Sequence, residues 1–278
     1  MGKLDGKVAV VSGAARGQGR AHAIRLAQEG ADIIAVDICA PIDSVPYALS
    51  SVDDLKETAS RVEELDRRIV ASQADVRDRG ALGAAVQEGI AQLGRLDIVV
   101  GNAGIWSNAP FLEMTDQMYH DMIDVQLHGN YNLAKVTVPQ LIEQREGGSI
   151  ILISSTAGMR GFPNQIHYNV AKHGVVGLMR SLANELAPHF IRVNSVHPSS
   201  VNTKMIQNET IWSAFAPGVE NPTVNDFGDT FTAMNLLPIP WMEPSDISGA
   251  VAWLASDDSR FVTGVTLPVD AGYLAKYS

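Results

Sequence analysis

Seven short apolar runs mark the chain, near residues 7–12, 32–37, 69–74, 96–101, 149–154, 190–196 and 265–269. The first two, Lys7-Val-Ala-Val-Val-Ser12 and Asp32-Ile-Ile-Ala-Val-Asp37, are apolar throughout their interiors rather than alternating. Continuous β-branched runs of this length read as strands covered on both faces. Segments with helical spacing lie between them, the first from His22 to Gly30. Strands alternating with helices predict parallel βαβ units, and right-handed crossovers put helices over both faces of one sheet. The expected fold is α/β, a doubly wound parallel sheet of about seven strands. Pro41 and Pro46 mark a loop, and Ser51, Thr115 and Ser245 stand as candidate N-caps before acidic first turns.

In such a sheet, ligands sit beyond the carboxyl ends of the strands, where strand order reverses. Gly13, Asp37, Asn102, Ser155 and Pro198 all fall at or just past strand ends. The pattern therefore gathers them into one crevice before any chemistry is considered.

Composition narrows the class. The 278 residues carry no proline-rich or low-complexity divider, so one domain over 1–278 is expected. A formal net charge of −10 disfavours nucleic acid and anionic membranes as partners. Cys39 is the only cysteine, so no intrachain disulfide can form, and a reducing, cytoplasmic setting is expected. The start has no signal-peptide core, and no apolar run approaches the roughly 18 residues of a membrane span. His128, His167, His173 and His197 cluster around the motifs but not at metal-ligand spacings, so no metal is expected.

Three clusters carry chemistry. Gly13-Ala-Ala-Arg16-Gly17-Gln18-Gly19 follows the first strand and precedes a helix. That geometry aims backbone N–H groups and a helix N-terminus at a phosphate. Asp37 ends the second strand, where an acid binds ribose hydroxyls and repels a 2′-phosphate. Arg16 pulls the other way, but Asp37 should face the ribose directly, so NAD is expected over NADP. Finally, Tyr168 and Lys172 are spaced to share a helix face, with Ser155 thirteen residues before the Tyr. An ammonium beside a phenol favours the phenolate, which predicts a Tyr168 pKa pulled down toward the working range.

These motifs resemble the short-chain dehydrogenase/reductase family nearly end to end. Ser12 to Gly19 matches its Gly-rich turn, Asp75 its adenine-contacting acid and Asn102-Ala103-Gly104 its Asn-Ala-Gly motif. Ser155, Tyr168 and Lys172 match its catalytic set, and Pro198 and Thr203 its later Pro and Thr. The resemblance implies a Rossmann-type domain with NAD over the Gly13–Gly19 turn. Asp37 and Ile38 would hold the adenosine ribose, and Asp75 and Val76 would lie at the adenine. Asn102 to Gly104 would line the groove, Lys172 would bind the nicotinamide ribose, and Pro198, Val201 and Thr203 would follow on. Ser155 and Tyr168 would hold the alcohol oxygen, Tyr168 taking its proton as hydride leaves the carbinol carbon.

Longer stretches, such as Ala171-Lys-His-Gly-Val-Val-Gly and Leu237-Pro-Ile-Pro-Trp241, are similar to a subgroup of carveol dehydrogenases and mycofactocin-coupled oxidoreductases. The subgroup implies an insertion near residues 38–68, an apolar and often terpenoid secondary alcohol, and NAD that stays bound while an external electron carrier reoxidises it. Residues 203–243 match the family's substrate lid. Trp106, Met159, Phe162, His167, Met205 and Trp212 are candidate substrate contacts. The family also implies a homotetramer built on helices near 115–145 and 166–188 and on the C-terminal strand. One departure stands out: Gln126 replaces an Asn that supports a proton-relay water, and nearby Asn130 is a candidate substitute. The alternatives are an ordinary NAD reductase of ketones, steroids or diketones, and a silent nucleotide-binding sensor.

Overall fold

A computed structural model describes residues 2–215, 219–220 and 223–277. Val8–Ser12 (β1), Asp32–Asp37 (β2), Ile69–Gln73 (β3), Ile98–Gly101 (β4), Gly148–Ile153 (β5), Ile191–Pro198 (β6) and Thr266–Val269 (β7) form one sheet. Its order is β3-β2-β1-β4-β5-β6-β7, with every pairing parallel. All of the expected strands are present. The fold is a Rossmann-type single domain.

The strands of the sheet interior feed two cores because successive side chains point to opposite faces. Val8 and Val10 of β1 join one core, Ala9 and Val11 the other. Helices α3 (Arg79–Leu93), α5 (Gly129–Gln144) and α6 (Ile166–Leu186) cover the first. Helices α1 (Gly17–Gln28), α2 (Val52–Glu63) and α9 (Pro244–Ala255) cover the second. Short α4 (Asp116–Ile123) runs into α5 through a π-turn, Asp124–His128. The segment 203–243 carries α7 (Glu209–Phe215) and α8 (Val224–Met234). Residues 216–218 and 221–222 of that expected lid lie outside the described residues. No helix among the described residues is long and apolar enough to cross a membrane.

Two local expectations need correction. Helix α1 begins at Gly17 rather than His22, so the last two glycines of the turn are its first residues. The cap of α9 is Glu243, not Ser245. Pro244 takes the first helical position, where its missing N–H costs nothing, and Glu243 N donates to Asp246 at 2.8 Å. The other two caps form as expected. Ser51 and Asp54 make a reciprocal capping box, and Thr115 Oγ1 accepts from Met118 N at 3.2 Å.

Candidate active site

Sheet order reverses between β1 and β4, so the segments after these strands diverge and open a crevice. The two strand ends are stitched together. Ser12 Oγ accepts from Asn102 N (3.0 Å) and Ala103 N (3.1 Å), and Asn102 Nδ2 donates to Ser12 O (3.0 Å). At two positions the turn above them leaves no room for a side chain. A Cβ on Gly13, which sits at φ +66°, would lie 2.8 Å from Ala103 Cα, and one on Gly19 would lie 1.9 Å from Gly13 O. Glycine alone fits both places.

A cavity of about 500 Å³ runs along this crevice. Gly13, Arg16, Gly17, Gln18, Gly19, Asp37, Ile38, Asp75, Val76, Asn102, Ala103, Gly104 and Thr203 all line it, as the sequence led us to expect. Asp37 is 5% exposed and heavily partnered. Its carboxylate accepts from Ala15 N (2.9 Å), Cys39 N (3.0 Å) and Ser50 Oγ (2.5 Å). An acid in this place leaves a phosphate beside it unwelcome. Arg16 Nη1 is buried with no partner among the described residues. Arg20, by contrast, is tied to Ala15 O and Glu57. Asp75 is clamped by Arg77 at 2.7 Å, which also reaches Asp121 at 3.1 Å.

A second cavity of about 150 Å³ adjoins the first and shares Gln18, Thr203 and Met205 with it. Ser155, Tyr168, Pro198, Val201, Trp106 and Phe162 line it. Pro198 and Val201 thus belong to this chamber rather than to the longer groove. Ser155 caps a short 3₁₀ turn after β5, while Tyr168 and Lys172 come from the first turns of α6. Gly158 lets these elements approach, since a Cβ there would meet Ser154 Oγ at 2.4 Å and Lys172 O at 2.8 Å.

The electrostatics differ from the simple expectation. Burial pushes the Tyr168 phenol up to about 12, opposed only in part by its hydrogen bond with Ser155. Lys172 is itself lowered to about 7 by burial. Its Nζ donates to Ile153 O at 2.9 Å and lies 5.6 Å from the centre of the Tyr168 ring. The lysine shares a face with the phenol, yet burial, opposed by the Ser155 hydrogen bond, sets the direction of the shift. The resting site therefore holds a protonated phenol.

Lys172, buried with its Nζ on Ile153 O, lines neither cavity, and nor do Met159, His167, Trp212, Gln126 and Asn130. Met159 is 44% exposed and turned outward. His167 is fully buried, with Nε2 2.9 Å from Ser107 Oγ, so it ties the loop after β4 to α6 instead of meeting substrate. Trp212 packs at the edge of an aromatic cluster around Phe227 and Phe231. Gln126 sits in the π-turn behind Gly104, where its Nε2 donates to Ile105 O at 2.6 Å. Asn130 Nδ2 donates to the backbone carbonyl of Gln126 at 2.6 Å, so its side-chain amide meets the Gln126 backbone and not the Gln126 side chain.

Other residues complete the walls without having been singled out. Tyr273, from the C-terminal 3₁₀ turn, lines the small chamber and packs on Phe162 with ring centres 5.8 Å apart. Gln165 also lines it and accepts from the Trp106 indole at 3.1 Å. Tyr47 and Ser50, from the insertion, line the long cavity. Their short-range sequence carries only loop signals, so contacts across the fold decide their place.

Comparison with known proteins agrees with this geometry. A family described as Enoyl-(Acyl carrier protein) reductase matches residues 13–274. The chain is 51% identical to the (-)-trans-carveol dehydrogenase of Rhodococcus erythropolis, over 99% of this chain and 100% of that one. It superposes on the crystal structure of carveol dehydrogenase from Mycobacterium avium in complex with NAD with a TM-score of 0.98 at 54% identity, covering 99% of this chain and 100% of that one. A short chain dehydrogenase from Mycobacterium paratuberculosis bound to NAD gives a TM-score of 0.91 at 46% identity, again over 99% of this chain and 100% of that one.

Proposed function

Because the chain belongs to the short-chain dehydrogenase/reductase family, we propose that it interconverts an apolar, carveol-like secondary alcohol and its ketone using NAD. The observation that carries this reading is the small chamber: its walls are mainly apolar, and Ser155 and Tyr168 project polar groups into it. The long cavity fits NAD. Its glycine turn presents bare backbone, Arg16 keeps an unpaired buried nitrogen, and Asp37 selects ribose hydroxyls over a phosphate. NAD supplies the hydride acceptor when bound. Ser155 Oγ and the Tyr168 hydroxyl then hold the substrate oxygen, and Tyr168 exchanges a proton with it. Lys172, braced by Ile153 O, stands 5.6 Å from the centre of that ring. The chamber's apolar side chains exclude water and orient the ring of the substrate.

The further reading is that NAD stays bound through turnover and is reoxidised by an external carrier, as in mycofactocin-coupled enzymes. The insertion supports it. Residues 38–50 pass over the long cavity and are fastened at several points. Ser44 Oγ donates to Asp121 (2.7 Å), Trp106 N to Tyr47 Oη (3.0 Å), Thr210 Oγ1 to Pro46 O (3.4 Å) and Ser50 Oγ to Asp37. Release of NAD along this side requires several of these bonds to open together. To test both readings, the purified protein is dialysed exhaustively, denatured, and the released small molecules are weighed by mass spectrometry. Carveol oxidation is then assayed with free NAD and with an artificial electron carrier. Near one NAD per chain, with turnover only through the carrier, is the expected result. An empty protein active with free NAD overturns retention alone, and no turnover of carveol or carvone overturns the substrate class.

A further inference from the structure

His197, on β6, is wholly buried and lines neither cavity, yet it touches the serine of the site. Its Nδ1 lies 2.8 Å from the Ser155 carbonyl oxygen and its Nε2 2.8 Å from Ser195 Oγ. A carbonyl oxygen only accepts, so Nδ1 must carry the proton. Nε2 is then a bare acceptor for the Ser195 hydroxyl. One tautomer satisfies both contacts, and it is neutral. Burial keeps the ring neutral, holding it at about 4, and Lys172, His173 and Arg180 on α6 act in the same direction.

Ser155 stands just past the end of the β5 ladder, whose last bond runs from Ser154 N to Val196 O at 2.9 Å. Its carbonyl is then held from two sides: by Gly158 N within its own turn at 2.9 Å, and by His197 from the neighbouring strand. Only the second contact fixes the turn relative to the sheet. We propose that His197 is a positioning residue, locked by Ser195, that sets the Ser155 backbone so that Ser155 Oγ meets the Tyr168 hydroxyl. It acts through Ser155 and touches neither substrate nor cofactor. This rests on Ser155 and Tyr168 being the reacting pair of the proposed function, but not on the identity of the alcohol.

The test compares His197→Leu, His197→Asn and Ser195→Ala by crystal structure and by carveol turnover. Asn offers an amide N–H close to where Nδ1–H stands, whereas Leu offers none. In His197→Leu the Ser155 carbonyl is expected to shift, and kcat to fall about tenfold or more, with the KM for carveol and the NAD content little changed. His197→Asn should restore most of both. Ser195→Ala should fall between them, because the tautomer is no longer fixed. Ser155 unmoved in His197→Leu, or equal kcat for Leu and Asn, overturns the proposal. Should the wild-type protein fail to turn over carveol, the substrate reading falls, while the Ser155 position in the variant structures still decides this one. If His197→Leu does not fold, His197→Asn against Ser195→Ala carries the comparison: Ser155 in its wild-type position in both overturns the proposal.

Discussion

Tyr168 is a phenol at neutral pH because burial disfavours its charged form. That state suits giving a proton to a ketone, whereas alcohol oxidation needs the proton removed. Oxidation is therefore expected to quicken as pH rises from neutrality toward about 12 while reduction does not. Matched pH–rate profiles in both directions check this, and a flat oxidation profile would take the role from Tyr168. Removing the hydroxyl in Tyr168→Phe should cost roughly 10²–10⁴-fold in kcat and leave the NAD content intact, read by turnover and by mass spectrometry. The Tyr–Lys–Ser spacing was legible in the sequence, but the sign of the pKa shift was not. Spacing reports which groups are neighbours, while desolvation depends on everything packed around them.

Residues 38–50 show how contacts across the fold place residues that carry only weak local signals. Nothing in the loop around Pro41 and Pro46 marks Tyr47 as an acceptor for Trp106 N, a residue 59 positions away. Tyr47→Phe deletes that acceptor while keeping the ring. If the insertion retains NAD, this variant should lose NAD during dialysis faster than the wild type, and equal retention would clear Tyr47 of the part. At the start of α2 the logic is local and was legible. Ser51 and Asp54 cap each other, so Ser51→Ala should lower stability by about 1 kcal/mol, read as a shift in the urea midpoint. The cap of α9 was misplaced at Ser245 because an acid follows that serine directly, and only the backbone conformation shows that Pro244 is already helical.

For the whole molecule, three buried histidines couple stability to pH. Burial holds His22 at about 3 and His197 at about 4, both down from 6.5, and lowers His167 as well. Below pH 6.5 the unfolded chain takes up protons that the folded one refuses. Stability should therefore fall with acidification between 6.5 and about 4, by up to about 1.4 kcal/mol per pH unit for each group. Urea unfolding at several pH values checks the slope, and an unchanged midpoint would contradict it. Outward-facing Tyr131 on α5 and Ile166 and Val170 on α6 leave apolar surface exposed along the expected tetramer helices. We propose that a second copy covers it. Val170→Glu should then lower the assembly mass in sedimentation, whereas a wild-type mass of one chain would end the proposal.

The sequence by itself determined the sheet and the long groove. Short β-branched apolar runs favour strands, their alternation with helices favours parallel crossovers, and the glycine turn, Asp37 and Asn102 stand at strand ends in the order of the chain. Only the tertiary structure decided the rest. It placed Tyr273 in the wall of the small chamber, turned Met159 and His167 away from it, laid residues 38–50 along the groove and set His197 behind Ser155. The physical reason is range. Strand, turn and cap are written in neighbours a few residues apart, whereas cavity walls, burial and hydrogen-bond partners across strands depend on residues that meet only when the whole chain has folded.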